Sequence, residues 1–415
     1  MGDGIVITGL GAITPLGNSW RETWQGLQAG RSGVAPITRF NTRGFATTIA
    51  AEVKSFDPAA YFNVKVLNRA SRTSQLALVA AREALADAGL GPRLEAHNAG
   101  IVLNCAVAGF SEIQRATEVL HSQGARRVSP SFVPSALTNM PACEVAIDLG
   151  VHGPVNASAL ACASGAYALL EARTLIADGR ADIVLAGGAD AAITPAMFAG
   201  LGSMRVLSQR NADPEHASRP FDAGRDGFVF GEGAVVLVLE RRSQARARGA
   251  RIYAELLGGA LTCDAFHIVA PDRSATYSAR AISEALARSG LAPADLDYVC
   301  AHGTSTRAND RIETLAIKRA LGDAAMRLPV SAPKSMTGHL IGAAGALSAL
   351  VCALAIHEGV IPPTINYQTR DPECDLDYVP GSARTQPVRH AIANAFGFGG
   401  QNCVLAFGPA GNRKS

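Results

Sequence analysis

An internal duplication limits how this chain can fold. Two long stretches carry the same order of elements although their residues have diverged, and such repetition indicates a repeated structural unit. In the first stretch, a short strand-like segment leads to Cys162 and to a helix rich in small residues, predicted over residues 163–177. In the second, a matching segment leads to Lys334 and His339 and to a similar helix over residues 342–357. The chain is therefore expected to fold as two similar halves.

The predicted fold class is α/β. Each half contains a continuous apolar strand that ends in a turn, at residues 182–188 and 297–303. Continuous apolar strands that alternate with helices are typical of parallel sheets covered on both faces, so we predict helices sandwiched between two sheets. A charged stretch at residues 240–251 separates the halves, which gives predicted domains at residues 1–250 and 251–415.

Composition and charge exclude several classes of protein. The chain has 415 residues, 48% hydrophobic and 18% charged, so it can bury a large core and is not disordered. Its net charge of only +3 argues against a dedicated nucleic-acid-binding protein, but it is compatible with a local basic patch that faces an acidic partner. The last residues, 411–415, are predicted to form a frayed tail.

The cysteines and the start of the chain bear on its location. Eight cysteines are scattered without a Cys-x-x-Cys pair or a disulfide framework, which is typical of free thiols in a reducing compartment. The chain passes from Met1 into the strand-like residues 5–8 without the pattern of an export signal. We therefore expect a cytoplasmic protein.

One apolar segment has the length of a membrane span. Residues 337–356 are mostly small and apolar, and about twenty such residues suffice to cross a bilayer. The segment contains His339, and neither an aromatic belt nor a flanking basic cluster accompanies it. We predict a buried core helix and no membrane span.

Cys162 is the candidate nucleophile. It follows a strand and begins a helix, and a helix N-terminus offers free N–H groups that lower the pKa of a thiol and can hold an oxyanion. An isolated cysteine is more often a small hydrophobic residue of the core. The second half of the chain favours the functional interpretation.

In that second half, His302, His339 and Lys334 lie in glycine-bounded turns at strand ends that match the position of Cys162. Two histidines and a lysine at equivalent strand ends are better explained as one site than as separate structural residues. Decarboxylation of a malonyl thioester creates an enolate whose oxygen needs two hydrogen-bond donors, a role that suits two imidazoles. No cluster in the sequence has the spacing of metal ligands, so we predict no metal.

These residues lie within motifs that resemble the β-ketoacyl-[acyl carrier protein] synthases, both the elongating type II enzymes and the ketosynthase subunits of type II polyketide synthases. The resemblance covers nearly the full length of the chain. It rests on the motifs at residues 6–11, 219–222, 226–233 and 394–400, together with the segments around Cys162, His302 and His339. The fold that it implies is the thiolase fold, a duplicated five-layer α-β-α-β-α sandwich.

The resemblance implies a role for each residue of the predicted site. Cys162 would accept the acyl group, and His302 and His339 would support decarboxylation and the enolate. Lys334 would orient that pair. The backbone N–H groups of Phe398 and Cys162 would form the oxyanion hole, and the Phe398 side chain would gate the malonyl and acyl positions.

The substrate-binding residues implied by the resemblance are five. Thr304 and Thr306 would hydrogen-bond to the phosphopantetheine arm, and Phe396 would lie beside the substrate. Val107 stands at the floor of the acyl pocket where the family often has isoleucine, and Leu201 replaces a pocket phenylalanine. Both changes favour a roomier pocket, although a few methylene groups shift specificity by only about 1–3 kcal/mol.

The support of the lysine departs from the fatty-acid enzymes. Ser348 stands where they usually carry a glutamate, so Asp310 or Glu313 is expected to supply the charge near Lys334. His267 matches a family motif and is assigned to the wall of the site rather than to the reaction. The stretches at residues 309–314 and 371–378 are closer to polyketide ketosynthases, and the sequence leaves the fatty acid and polyketide pathways open.

The implied partner is an acyl carrier protein. Six basic residues match positions at which the family docks this acidic partner, although each alone is more simply a solvated surface charge. They are Lys65, Arg69, Arg72, Arg126, Arg127 and Arg205. Substrates would arrive on phosphopantetheine, so no cofactor is expected. The chain is expected to pair as a homodimer, or as a heterodimer with a chain-length partner of the same fold.

Two other functions remain open. A hydrolase could use Cys162, His302 and Asp310 as a triad, but it would leave Lys334, His339 and the duplication unexplained. A non-catalytic chain-length subunit shares the fold, but such subunits generally lack the nucleophilic cysteine that this chain retains.

Overall fold

The computed structural model describes residues 3–411, so the predicted tail lies outside it except for residue 411. The strands are β1 (Ile5–Ile13), β2 (Ala35–Pro36), β3 (Ile49–Ala50), β4 (Ala99–Asn104), β5 (Val155–Asn156), β6 (Ile183–Asp190), β7 (Gly233–Arg241), β8 (Ala254–Cys263), β9 (Tyr298–Cys300), β10 (Val330–Ser331), β11 (Val360–Ile361), β12 (Arg384–Thr385), β13 (Ala391–Gly397) and β14 (Gln401–Gly408). The α-helices are α1 (Trp20–Gln28), α2 (Val64–Arg69), α3 (Arg72–Asp87), α4 (Phe110–Gln123), α5 (Phe132–Ala136), α6 (Met140–Leu149), α7 (Ser164–Ala177), α8 (Pro195–Ser203), α9 (Arg242–Ala247), α10 (Thr276–Ser289), α11 (Arg307–Leu321), α12 (Lys334–Thr337) and α13 (Ala344–Glu358).

The strand order confirms the duplication. Ten strands join in the order β10-β9-β13-β14-β8-β1-β7-β6-β4-β5. Outward from the short β1–β8 contact, the series β1, β7, β6, β4, β5 matches the series β8, β14, β13, β9, β10, and each matched pair of neighbours runs in the same relative direction. The two halves therefore repeat one topology.

The prediction of parallel sheets was wrong in part. In the first half β4 runs parallel to β5 and β6, but β7 is antiparallel to both β6 and β1. The apolar runs arise because both faces of the sheet are covered, and this burial is independent of strand direction. The sequence pattern therefore predicted that the sheets are covered on both faces, but it did not predict the relative direction of neighbouring strands.

Five layers result from the packing of helices on the two half-sheets. Helices α7 and α13 lie in the centre, in contact with each other and with strands of both halves. Helices α3 and α6 cover the outer face of the first half-sheet, and α10 and α11 pack in the second half. This is the predicted α-β-α-β-α sandwich. The predicted domain division at residue 250 falls between α9 and β8.

The central helices approach closely because glycines face each other. A Cβ added at Gly165 would lie 2.6 Å from the carbonyl oxygen of Gly342, and one at Gly345 would lie 2.6 Å from the backbone nitrogen of Ala166. The helical segment Ile341–Glu358 is apolar and long enough to cross a membrane, but most of it is buried inside the protein. It is a core helix, as predicted.

Candidate active site

Cys162 lies two residues before α7, in a tight turn. Ala161 adopts a left-handed conformation with φ of 46°, and the Cys162 side chain is buried at the wall of a cavity. Burial raises the pKa of the thiol to about 11, while the charge of Lys334 lowers it. This direction is opposite to the lowered pKa expected from the sequence, because removal of the thiol from water outweighs the lowering by Lys334 and by the nearby backbone N–H groups.

Two backbone N–H groups point at the sulfur of Cys162. They belong to Phe398 and to Cys162 itself, and both lower the pKa of the thiol. The backbones approach closely here, since a Cβ at Gly397 would lie 2.8 Å from the oxygen of Leu160 and 3.2 Å from the nitrogen of Cys162. Two convergent N–H donors beside a nucleophile have the arrangement of an oxyanion hole.

Contacts with Glu313 and Lys334 hold His302 in place. Its backbone N–H donates to Glu313 Oε1 at 2.7 Å, and its carbonyl oxygen accepts from Lys334 Nζ at 2.5 Å. Its ring Nδ1 lies 3.4 Å from the same Nζ. Because a lysine ammonium only donates, Nδ1 is the acceptor and the ring proton resides on Nε2.

His339 has the same tautomer for a different reason. Its Nδ1 accepts the backbone N–H of Ile341 at 3.1 Å, which leaves the proton on Nε2. Within residues 3–411, no hydrogen-bond partner reaches this buried Nε2. The rings of His302 and His339 are 5.6 Å apart, nearly perpendicular, and both line the cavity.

Both histidines are neutral. Burial lowers the pKa of His302 and of His339 well below the usual value, and the charge of Lys334 lowers both further. Two neutral imidazoles, each with its proton on Nε2, can donate hydrogen bonds to one oxygen atom. They are poor general bases in this state, because the unprotonated Nδ1 of each ring already accepts a hydrogen bond.

Lys334 is a buried cation at the first residue of α12. Burial lowers its pKa, and the neighbouring Cys300, Glu313, Cys162 and Asp310 raise it. Within the described residues no carboxylate forms an ion pair with it. The lysine is held instead by the carbonyl oxygen of His302.

The expected acidic support of the lysine takes an indirect form. Glu313 accepts the backbone N–H groups of His302 and Gly303 at 2.7 Å each, and so shapes the turn that holds the histidine. Asp310 accepts the backbone N–H of Phe221 at 2.8 Å and lies 3.5 Å from Arg225. The two carboxylates therefore hydrogen-bond to the loop around the lysine rather than to its ammonium group, and their charges raise the pKa of Lys334 from there.

Ser348 places no charge near Lys334. Its hydroxyl donates to the carbonyl oxygen of Ala344 at 3.2 Å, and it also hydrogen-bonds to the thiol of Cys300.

The site opens into an apolar cavity of about 490 Å³. It brings together nine residues predicted from the sequence for catalysis or substrate binding. They are Val107, Cys162, Leu201, His302, Thr304, Thr306, His339, Phe396 and Phe398. The hydroxyl oxygens of Thr304 and Thr306 are 3.0 Å apart, and the Phe398 side chain is part-exposed, at 38%.

His267 is an exposed loop residue. Its Nδ1 accepts the backbone N–H groups of Val269 and Ala270 at 3.0 Å each. Val269 and Ala270 line the cavity, whereas His267 itself does not. The histidine therefore shapes the wall of the site from outside.

The six basic residues predicted to dock a carrier protein fall into two groups. Lys65, Arg69, Arg126, Arg127 and Arg205 are exposed. Arg72 is not free, because its guanidinium forms a 2.7 Å ion pair with the buried carboxylate of Glu232. We correct its role to a structural one, because a buried ion pair holds the guanidinium in place.

Three residues of the site were missed from the sequence. Asn394 donates to Glu313 Oε1 at 3.0 Å, and Arg225 pairs with Asp310. Asn394 lies in the motif at residues 394–400 and Arg225 directly precedes the motif at residues 226–233, so these motifs could have indicated both residues. Asp190 accepts three backbone N–H groups behind the cavity, and nothing but its place at a strand end pointed to it.

Family models and curated relatives match almost the whole chain. The N-terminal domain of β-ketoacyl synthases matches residues 3–245, and the C-terminal domain matches residues 253–368. The 3-oxoacyl-[acyl-carrier-protein] synthase 2 of Synechocystis is 47% identical over 97% of both chains. The protein of the same name from Coxiella burnetii is 44% identical over 97% of both chains.

Solved structures agree. The ishigamide ketosynthase/chain length factor superimposes with a TM-score of 0.93 at 38% identity, over 99% of this chain and 100% of the other. A ketosynthase in complex with a type II polyketide synthase acyl-carrier protein gives a TM-score of 0.91 at 33% identity, over 99% and 100%. The chain therefore belongs to the β-ketoacyl synthase family and has its thiolase fold.

Proposed function

We propose that this chain is a β-ketoacyl-[acyl carrier protein] synthase that joins an acyl thioester to a malonyl thioester through an acyl-cysteine. One observation carries the proposal: two neutral histidines whose Nδ1 atoms act as acceptors, so that each carries its ring proton on Nε2, line the same cavity as Cys162. This geometry suits the carbonyl oxygen of a thioester that becomes an enolate.

The first half-reaction transfers the acyl group. The sulfur of Cys162 attacks the thioester of an acyl carrier protein, and the N–H groups of Phe398 and Cys162 hold the oxyanion. The carbon–sulfur bond to the carrier breaks, and the carrier thiol takes up the proton that Cys162 has lost. Thr304 and Thr306 line the same cavity, where their hydroxyls suit the amides of the phosphopantetheine arm.

The second half-reaction forms the carbon–carbon bond. The malonyl thioester places its carbonyl oxygen between His302 and His339, carbon dioxide leaves, and the electron pair of the broken bond forms the enolate. Its carbon attacks the acyl group on Cys162. The carbon–sulfur bond of the acyl-cysteine then breaks, and the sulfur takes up a proton from solvent. No cofactor is needed, since substrates bring their own phosphopantetheine.

The alternative triad hydrolase fits the geometry poorly. A triad would require a carboxylate on His302 Nδ1, but that atom faces Lys334, and Asp310 faces the backbone of Phe221 and the guanidinium of Arg225. The chain-length subunit is disfavoured because Cys162 and both histidines are assembled around one cavity.

The partners we propose are an acyl carrier protein and a second ketosynthase-like chain. Five exposed basic residues remain available for an acidic carrier, and their contribution would weaken with salt. Large apolar side chains are exposed on α4, on α5 and directly after α5. They are Phe110, Ile113, Leu120, Val133 and Leu137. Phe110 also lines the cavity, so a second chain covering this face would lie close to the acyl group. Such an enzyme belongs in the cytoplasm.

The proposal is tested by mass spectrometry of carrier-bound products. The purified chain is incubated with malonyl-carrier and with acyl-carriers of several lengths, and Cys162→Ala is the control. A β-ketoacyl carrier extended by two carbons supports the proposal. Acylation of Cys162 without extension points to a missing partner chain, and no acylation at all contradicts the proposed function.

A further inference from the structure

Asp190, the last residue of β6, is a buried carboxylate with an unusual set of partners. It is fully buried, and within residues 3–411 it takes part in no ion pair. Its oxygens accept three backbone N–H groups instead: Ala106 at 2.9 Å, Val107 at 3.0 Å and Gly342 at 2.7 Å. Because a buried charge is costly unless it is hydrogen-bonded, loss of any of these bonds is unfavourable, and the Asp190 carboxylate holds the three N–H groups in place.

Those three amides come from two loops that form different parts of the site. Ala106 and Val107 follow β4 and line the cavity, and Val107 is the residue assigned to the floor of the acyl pocket. Gly342 follows Ile341, whose N–H donates to His339 Nδ1 and whose φ of 51° is rare for a β-branched residue. The carboxylate thus contacts the pocket floor with one oxygen and both loops with the other.

The contact with the histidine loop requires glycine. A Cβ at Gly342 would lie 2.4 Å from Asp190 Oδ2 and 2.8 Å from the nitrogen of Ala106. The strained conformation of Ile341 is therefore held between its bond to His339 and the bond from Gly342 to Asp190.

The charge of Asp190 does not help the nucleophile. It raises the pKa of the Cys162 thiol and so opposes formation of the thiolate. Burial raises the pKa of Asp190 itself to about 7, while its three N–H donors lower it. A carboxylate placed here for activation of the cysteine would have the wrong sign, which leaves positioning as its contribution.

We propose that Asp190 is a positioning residue that ties the floor of the acyl pocket to the His339 loop. The proposal rests on the proposed function, since it assigns His339 to decarboxylation and Val107 to the acyl pocket. An acyl chain that occupies the pocket and shifts its floor then also shifts the His339 loop, because the Asp190 carboxylate binds both. Both the chain-length preference and the decarboxylation rate therefore depend on the Asp190 carboxylate.

The test compares Asp190→Asn with a matched control. The asparagine keeps one acceptor oxygen, but its NH2 group opposes one of the three N–H donors. Glu83→Gln is the control, because Glu83 is also a largely buried carboxylate that accepts backbone N–H groups, from Ala12 and Trp20, and burial also raises its pKa to about 7. Its partners lie in and before the first helix, outside the cavity lining.

The readouts are carbon dioxide release from malonyl-carrier, the acyl-length profile and alkylation of Cys162 by iodoacetamide. For Asp190→Asn we expect carbon dioxide release to fall about tenfold or more, as for loss of a bond to a charged group. The length profile should broaden, and alkylation of Cys162 should become faster. Glu83→Gln should leave all three unchanged. The two variants behaving alike, or a change in thermal stability alone, would overturn the proposal.

A measurement on the unsubstituted chain covers the case in which Asp190→Asn fails to fold. Cys162 is acylated with a short or a long chain, and amide hydrogen exchange is followed in residues 105–110 and 339–344. The proposal expects both segments to change together on going to the long chain. A change confined to residues 105–110 would overturn it. Acylation of Cys162 and elongation by the unsubstituted chain test the proposed function separately.

Discussion

At the scale of single residues, burial decides the charge states of the site. It raises the pKa of Cys162 and lowers that of both histidines and of Lys334. The resting site is therefore less charged than the residue types suggest. Two backbone N–H groups and a neighbouring lysine offset only part of the cost of removing a thiolate from water.

The rate of Cys162 alkylation should follow this raised pKa. Because the thiol ionises at about 11, the thiolate fraction at constant temperature should rise about tenfold per pH unit from pH 7 to 10. The measurement is mass-spectrometric detection of the Cys162 peptide after iodoacetamide treatment, with Cys162→Ser as the background. A plateau beginning near pH 7 would show that the thiol is already activated in the resting enzyme.

Lys334 should assist that ionisation, because its charge lowers the pKa of Cys162. We expect Lys334→Met to slow alkylation at a fixed pH of 8. Lys318→Met, at a lysine that pairs with Asp375, is the matched control and should not alter the rate. Equal rates for the Lys334 variant and the unsubstituted chain would remove the lysine from the electrostatics of the cysteine.

The histidine pair should stay neutral in mildly acidic solution. Burial and Lys334 lower both pKa values well below 6.5, so charge is gained only at lower pH. In nitrogen-15 spectra of histidine-labelled protein, two histidines should show the Nε2–H tautomer without titrating between pH 5.5 and 7.5. Their signals should disappear in His302→Ala and His339→Ala. Titration of either within this range would contradict the donor role.

At the scale of elements, the contact between α7 and α13 holds the two halves together. We expect Gly345→Ala to lower the free energy of unfolding by about 1–3 kcal/mol, because the new methyl group meets the backbone of Ala166. Gly200→Ala in α8 is the control, since nothing lies within 4 Å of its added Cβ, and it should be neutral or stabilising. Denaturant unfolding measures both. Equal effects would show that the helices separate without cost.

The sequence predicted these elements well where pattern and burial coincide. The helices predicted over residues 163–177 and 342–357 are α7 and α13 within two residues at each end. Strand direction was not predictable from the apolar runs, because a strand covered on both faces has the same pattern in either direction. Local patterns report burial, and pairing depends on the rest of the chain.

Motifs pointed to some residues of the candidate site, whereas long-range contacts that involve the backbone or distant residues could not be predicted. Cys162, His302 and His339 lie in distinctive motifs, and the fold brings them together at one cavity. Asp190 has amide partners 84 and 152 residues away in sequence, and a backbone N–H leaves no mark on residue type. Arg72 was misassigned because its partner Glu232 is 160 residues distant.

At the scale of the whole molecule, the apolar side of α4 and α5 is the feature that the single chain does not explain. Leu120 and Ile113 are 46% and 48% exposed, and an exposed patch of this kind marks an interaction surface. We expect a second ketosynthase-like chain to cover it, with Leu120→Asp and Ile113→Asp weakening the association. Light scattering measures the mass against 42.9 kDa for one chain. Unchanged association in both variants would place the interface elsewhere.

In the proposed mechanism, the histidine pair allows a malonyl thioester to extend the acyl group held on Cys162. The most direct measurement starts from isolated acyl-Cys162 enzyme and adds malonyl-carrier, for the unsubstituted chain and for His339→Ala, with any partner chain present. We predict one carbon dioxide released per acyl group transferred to a β-ketoacyl carrier, and a His339→Ala enzyme that remains acylated. Free carboxylic acid formed without carbon dioxide, at the same rate in both proteins, would contradict the account and indicate a hydrolase.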